Sequence, residues 1–469
     1  MLRLVADRAL QGRPLGRRRF LTAGAMGAAG LGLADLLRAE HQLGIAASRK
    51  SIINVHLDGG PPHMDMIDLK PDAPLEVRGE FLPIDTNLSG FQICEMMPRL
   101  ATVADQVIWI RSLVGSAGAH DAFQCQSGFG KGDLQSIGGR PAMGSVLARM
   151  FGSPNDPAPT FIDLMQGRPL VRNSARPGFL GPAYQAFRPD ISGVFQRDLE
   201  EGMKKELARL GKDHATSLVL NPSLTLDRLQ DRTSLLRQLD RIRREVDASG
   251  MMRALDSFGQ QAVGVLTSGK LAAALDLTQA SPESLRNYTP HIREDNPRFQ
   301  TAEGASAVKK FLLARRMIEA GVRCVSISIS DFDTHSKNFP RMRNLLPLVD
   351  FGLHALLTDL RQRGLFADVS VVVWGEFGRT PRVDAKTGGR HHWPRVGPAM
   401  LFGGGMSGGQ VIGATDRSGG GVTERPVHYK DVFATLYRNL GINPRQFTID
   451  DPHGRPQYLL DEGEPLSEV

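Results

Sequence analysis

Three short stretches of this chain gather carboxylates and imidazoles at ligand spacing. They are Asp58, His63 and Asp65; Asp331, Asp333 and His335; and Glu376 followed by His391 and His392. Carboxylate oxygens and neutral imidazole nitrogens are the donors that zinc, manganese and iron take in proteins, and a two-metal site needs about this many of them. A single Asp or His at such a place is more often a turn former or a helix cap. Three such stretches together point to metal ligation. None of them holds a thiol. The cysteines, Cys94, Cys125 and Cys324, lie far apart and form no C-x-x-C pair, which excludes a zinc ribbon and a disulfide scaffold.

Each stretch follows a segment that reads as a strand. The apolar runs at 51–58, 107–111, 322–329, 369–374 and 398–402 show little alternation, the pattern of strands buried on both faces of a largely parallel sheet. Helical patterns over 305–320 and 348–363 precede the third and fourth runs. The expected fold is therefore an α/β wound sheet flanked by helices, with ligands gathered beyond the carboxyl ends of its strands. Between about 189 and 297 the strand signals vanish, and Leu226, Leu229, Leu236 and Leu239 share a helical stripe. This predicts a helical insertion, serving either as a structural layer or as a lid or dimerisation arm.

The chain has 469 residues, 41% hydrophobic and 23% charged, which excludes a disordered chain. Of its net charge of +7, four units fall in residues 1–47, where seven Arg outweigh Asp7, Asp35 and Glu40. The small balance left for the rest excludes nucleic acid as a partner. No Gly-Lys-Ser/Thr loop is present, which argues against a nucleotide site. In the leader, Arg17, Arg18, Arg19, Phe20 and Leu21 precede a weakly apolar run rich in Gly and Ala. That pattern resembles a twin-arginine export signal, with cleavage near Ala46–Ala47 or retention as an uncleaved anchor.

The segments 56–65 (HLDGGPPHMD), 333–335 (DTH), 375–381 (GEFGRTP), 389–394 (GRHHWP) and 413–416 (GATD) occur in this order. Together they resemble the sulfatase-like domain of unknown function family 1501, related to the alkaline phosphatase superfamily. The resemblance covers 48–469 and implies an alkaline-phosphatase-like α/β fold behind a 1–47 leader. It implies that Asp58 and Glu376 hold one metal ion and that Asp333, His335 and His392 hold a second. His63 and Asp65 belong to the family's own first motif and join the ligand candidates. His391 stands where the family usually carries Asp, which removes a negative charge from the site. The sulfatase nucleophile motif, C/S-x-P/A-x-R, is absent around all three cysteines.

In its place Ser116 is a candidate nucleophile and His120 a candidate base or ligand, although Ser116 could equally cap a helix. Arg379 is the candidate for holding a sulfate or phosphate group. The function so implied is an exported, periplasmic or cell-surface hydrolase of sulfate or phosphate esters. Its cofactors would be divalent ions, zinc first, with manganese, iron or calcium as alternatives. Its partners would be a small-molecule or polysaccharide ester and, during export, the twin-arginine translocase, with the membrane touched only through an uncleaved leader. The rival is a non-catalytic metal-binding surface protein that keeps the fold.

Overall fold

A computed structural model describes residues 50–469 except 135, 154–155, 157, 168–174, 190, 192–193, 196–268 and 291–302. The leader and the Leu226–Leu239 stripe lie outside the described residues. Of the expected insertion, the described part includes two short helices, Lys270–Leu275 and Pro282–Asn287.

The main sheet has eight strands: β1 (Ser51–Leu57), β2 (Ile108–Val114), β3 (Phe161–Asp163), β4 (Cys324–Ile329), β5 (Val369–Trp374), β6 (Gly397–Gly403), β7 (Gln410–Ile412) and β8 (Val427–His428). Their order is β7-β2-β6-β5-β1-β4-β3, with β8 also pairing with β2. All pairings are parallel except the two made by β6, which runs against β5 and β2. The sheet is thus largely parallel, as its apolar runs predict, with one reversed strand. β1, β2, β4 and β5 point the same way, so the loops leaving them open on one edge.

Both faces of the sheet are covered. Along β1, Ile53, Val55 and Leu57 enter one apolar cluster with Phe311, Leu312 and Leu356, while Ile52 enters another with Val146, Leu147 and Phe433. This is the alternation that a pleated strand imposes. The first cluster is supplied by the helices Lys309–Glu319 and Asn338–Gln362, and the second by Met143–Phe151 and Tyr429–Asn439. Asn338–Gln362 begins well before the expected 348 and runs through Pro347. Proline in a helix interior removes one backbone hydrogen bond. Here the buried Met342, Leu345 and Leu346 pack the turns before it, and that burial outweighs the lost bond. Among the described residues, no helix is long and apolar enough to cross a membrane.

Candidate metal centre

The last turn of β1 sets the floor of the site. His56 and Asp58 are two residues apart on one face, and both are buried. The chain then turns through Gly59 at φ 110°. A Cβ at Gly59 would strike the backbone nitrogen of Asp333 and lie 2.8 Å from the Phe332 carbonyl carbon. Only glycine supplies both this φ and this close approach. The Gly59 N–H donates to Glu376 Oε1 at 2.9 Å. The loops after β1, β4 and β5 therefore meet at one point. The β4 loop enters through Asp331, a non-glycine residue held at φ 82°, a conformation uncommon outside glycine.

Two ligand groups form there: His56, Asp58 and Glu376, and His120, Asp333, His335 and His392. His120, on the loop after β2, joins them. Its Nδ1 lies 3.0 Å from Glu376 Oε1 and its Nε2 3.1 Å from Asp333 Oδ2. Asp333 Oδ1 is 3.0 Å from His335 Nε2, 3.4 Å from His392 Nε2 and 2.6 Å from Arg379 Nη2. Burial alone would raise the Asp333 carboxyl, but His120, the nearby His392 and the Arg379 guanidinium hold it well below the usual carboxylate range. Glu376 is fully buried, yet its carboxyl too is pulled below that range, because His120 and the nearby His56 outweigh burial. Burial pushes the His335 imidazole down, and Arg379, His392 and His391 add to this against the opposing pull of Asp333. His335 is thereby favoured as a neutral imidazole, the form that ligates metal.

These residues fit divalent metal. His392 Nδ1 lies 3.0 Å from the Gly118 carbonyl oxygen. A carbonyl only accepts, so the proton of a neutral His392 sits on Nδ1 and its Nε2 lone pair faces Asp333 and His335. The two Nε2 atoms are 3.1 Å apart. A tetrahedral ion with bonds of about 2.0–2.1 Å sets its ligand atoms about 3.3 Å apart, close to the spacing seen here. In the other group, His56 Nε2 is 3.3 Å from Glu376 Oε2. Both atoms, and His56 Nδ1, are buried without a hydrogen-bond partner. Such orphaned donor-set atoms call for a ligand or ion.

The other expected site residues lie around this centre. His391 adjoins His335, with the two Nδ1 atoms 2.9 Å apart. His63 is buried and donates from Nε2 to the Gly419 carbonyl at 2.8 Å, outside both ligand groups. Asp65 also lies outside them; it accepts Arg390 through both oxygens at 2.9 Å and Asn338 Nδ2 at 2.8 Å. Arg379 is fully buried. It donates to Gly60 O at 3.1 Å, Arg390 O at 3.0 Å, Gly59 O and Asp333, so its guanidinium braces the turn carrying Asp58. Ser116 Oγ donates to the Glu376 carbonyl at 2.7 Å and accepts from Gly118 N at 3.0 Å. The helix that follows, Gln124–Ser127, takes Phe123 and not Ser116 as its cap.

All three cysteines are buried, and burial pushes the Cys94 thiol up to about 12 and Cys125 and Cys324 well upward, against thiolate chemistry. His56 is the ligand-group residue that the motifs did not single out. Its signal is its place two residues before Asp58 on a strand, hence on the same face.

Two solved structures are similar to this chain at low identity. The PsFucS1 sulfatase from Pseudoalteromonas sp. is 11% identical, covering 87% of this chain and 72% of that one, with a TM-score of 0.36. The lipoteichoic acid synthase LtaP from Listeria monocytogenes is 12% identical, covering 85% and 73%, with a TM-score of 0.34. No curated protein matches the chain. A family model described as "Protein of unknown function (DUF1501)" matches residues 49–469, a span that holds every residue of both ligand groups. The chain belongs to the DUF1501 family.

Proposed function

We propose that this chain is a metal-dependent hydrolase of sulfate or phosphate esters, exported as a folded protein. The observation that carries the reading is His120, whose two nitrogens tie Glu376 of one ligand group to Asp333 of the other. Divalent ions bound in these groups would polarise ester oxygens and supply an activated water. The chain's own residues do the rest. His120 holds the two carboxylates in register, and Arg379 fixes Asp333 and the Gly59–Gly60 turn. The side chains of His335 and His391, exposed by 48% and 46%, form the open side over which an ester would approach.

Water is the favoured nucleophile. The hydroxyl proton of Ser116 goes to a main-chain carbonyl, which is too weak a base to activate it. Ser116→Ala is therefore expected to keep metal and to hold kcat within about tenfold of wild type. A drop of several orders of magnitude with metal retained would make Ser116 the nucleophile instead.

The decisive measurement is elemental analysis of protein purified without chelator, followed by metal-replete assays on aryl sulfates and aryl phosphates. Stoichiometric metal with turnover of one ester class is the expected result. Metal without turnover on either class returns the chain to a non-catalytic metal-binding surface protein. No metal at all sinks both readings. For the leader, replacing Arg17 and Arg18 together with Lys is expected to strand the precursor in the cytoplasm, because the pair is a receptor-read address. Cell fractionation checks this, and unchanged export would overturn it.

A further inference from the structure

We propose that Trp393, Arg395 and Arg417 form a subsite beside the metal centre for a further anionic group of a polyanionic carbohydrate chain. This rests on the hydrolase reading and deepens it. The substrate is a glycan bearing several sulfate or phosphate groups, of which the centre takes one and Arg395 a neighbour.

The backbone fixes where the subsite lies. Trp393 pairs with Gly378 in the short ladder that sets His392 opposite Arg379. His392 belongs to a ligand group, and the chain then leaves the centre: Trp393 is partly exposed, Pro394 and Arg395 fully so. The three steps from His392 to Arg395 span at most about 10 Å, the scale of neighbouring sugars. The Trp393 indole N–H donates to the Gly420 carbonyl at 2.8 Å, which ties it to the loop carrying Arg417. Asp416 closes that loop, its Oδ1 accepting from Ser418 N at 2.8 Å and Gly420 N at 3.0 Å.

The chemistry points to an anion. Arg395 and Arg417 are exposed, and neither has a carboxylate partner among the described residues. Elsewhere on the surface Arg382 is matched with Glu76 and Arg425 with Glu468. Arg395 is held instead over the Trp393 indole, its guanidinium carbon 5.3 Å from the ring centroid. A guanidinium held this way keeps its N–H donors for a ligand and loses little freedom on binding one. Its fork of donors suits sulfate or phosphate oxygens. The exposed part of the indole offers apolar surface to the C–H face of a sugar ring. A simple monoester would leave both arginines unused. A nucleic-acid strand calls for a row of aromatic rings along a basic groove, whereas this subsite rests on a single indole.

The test uses the full chain in chelator, so that it depends neither on bound metal nor on turnover. Of the three tryptophans, Trp109 and Trp374 are fully buried, so acrylamide quenching of fluorescence reports on Trp393. Short dextran sulfate and dextran phosphate oligosaccharides are titrated calorimetrically, beside plain dextran, glucose 6-sulfate and oligothymidylate. At least one polyanionic dextran is expected to bind and to shield Trp393 from acrylamide, and the tighter of the two names the ester. Arg395→Ala is expected to weaken that binding about 10–100-fold, the loss of a charge-assisted contact. Arg395→Lys should recover only part, because an ammonium lacks the fork. Arg382→Ala removes the same charge from an exposed residue paired with Glu76, and is expected to change binding by less than about twofold.

No binding of either polyanion, or binding that leaves Trp393 unshielded, would overturn the subsite while leaving hydrolysis of small esters open. So would equal losses in Arg382→Ala and Arg395→Ala, which would reduce the effect to overall charge. Plain dextran or glucose 6-sulfate bound as tightly as the polyanion, or oligothymidylate bound more tightly, would overturn the polyanionic carbohydrate as ligand. A shielded, Arg395-dependent site in a metal-replete protein that turns over no ester would instead sink the hydrolase reading and keep the subsite.

Discussion

Asp333→Ala is expected to empty the His120–His335–His392 group of metal and to lower ester turnover by about 1,000-fold or more. Asp333 is the only carboxylate of that group. Its removal leaves three imidazoles and no anion to offset the buried Arg379 guanidinium, whose charge then opposes a cation. The loss should exceed the 10–100-fold typical of an outer partner. The fold is expected to be weakened but kept, because the buried Arg379 loses its carboxylate while retaining its carbonyl partners at Gly60 and Arg390. Calorimetric zinc titration together with the ester assay checks the first part, and thermal melting in chelator the second. Full zinc stoichiometry at wild-type affinity in Asp333→Ala would remove this group from the metal centre.

Asp65→Ala should fail in a different way. Asp65 and Arg390 are both buried, and Asp65 is the carboxylate that neutralises the guanidinium. Taking one partner from a buried ion pair strands the other charge and costs about 3–5 kcal/mol. The damage reaches the site from below, since Asp65 accepts from Asn338, which in turn accepts from Thr334, between Asp333 and His335. Urea unfolding with chelator present separates this from lost ligation. The deficit is expected to be as large without metal as with it. A deficit that appears only in metal-loaded protein would make Asp65 a ligand after all.

Much of the sheet was legible because β1, β4 and β5 are short apolar runs that end in polar residues. The direction of β6 was not. Its run, Gly397–Gly403, is buried at every position, and a strand covered on both faces looks the same whichever way it points. Nor could the sequence show that β2, second in the chain, lies beyond β5 and β6, since strand order depends on long-range pairing. Within the centre, Asp58, Asp333, His335, Glu376 and His392 carried a signal through their place just past strands or in motifs. His63 and Asp65 carried the same signal yet lie outside both groups, His63 against the Gly419 carbonyl and Asp65 paired with Arg390 and Asn338.

The pairing of β1 also has a consequence for biosynthesis. Ile52 sits opposite Cys324 on one side and Ser370 on the other, so the central strand leaves the ribosome long before either neighbour exists. At about 5–20 residues per second, that interval is on the order of tens of seconds. Throughout it, an apolar strand has both edges unpaired, a template for association with other nascent chains. The half-site borne by His56 and Asp58 likewise waits for Glu376. The nascent protein thus depends on being shielded until its last third is made, and a complete metal centre is a property of the finished chain alone.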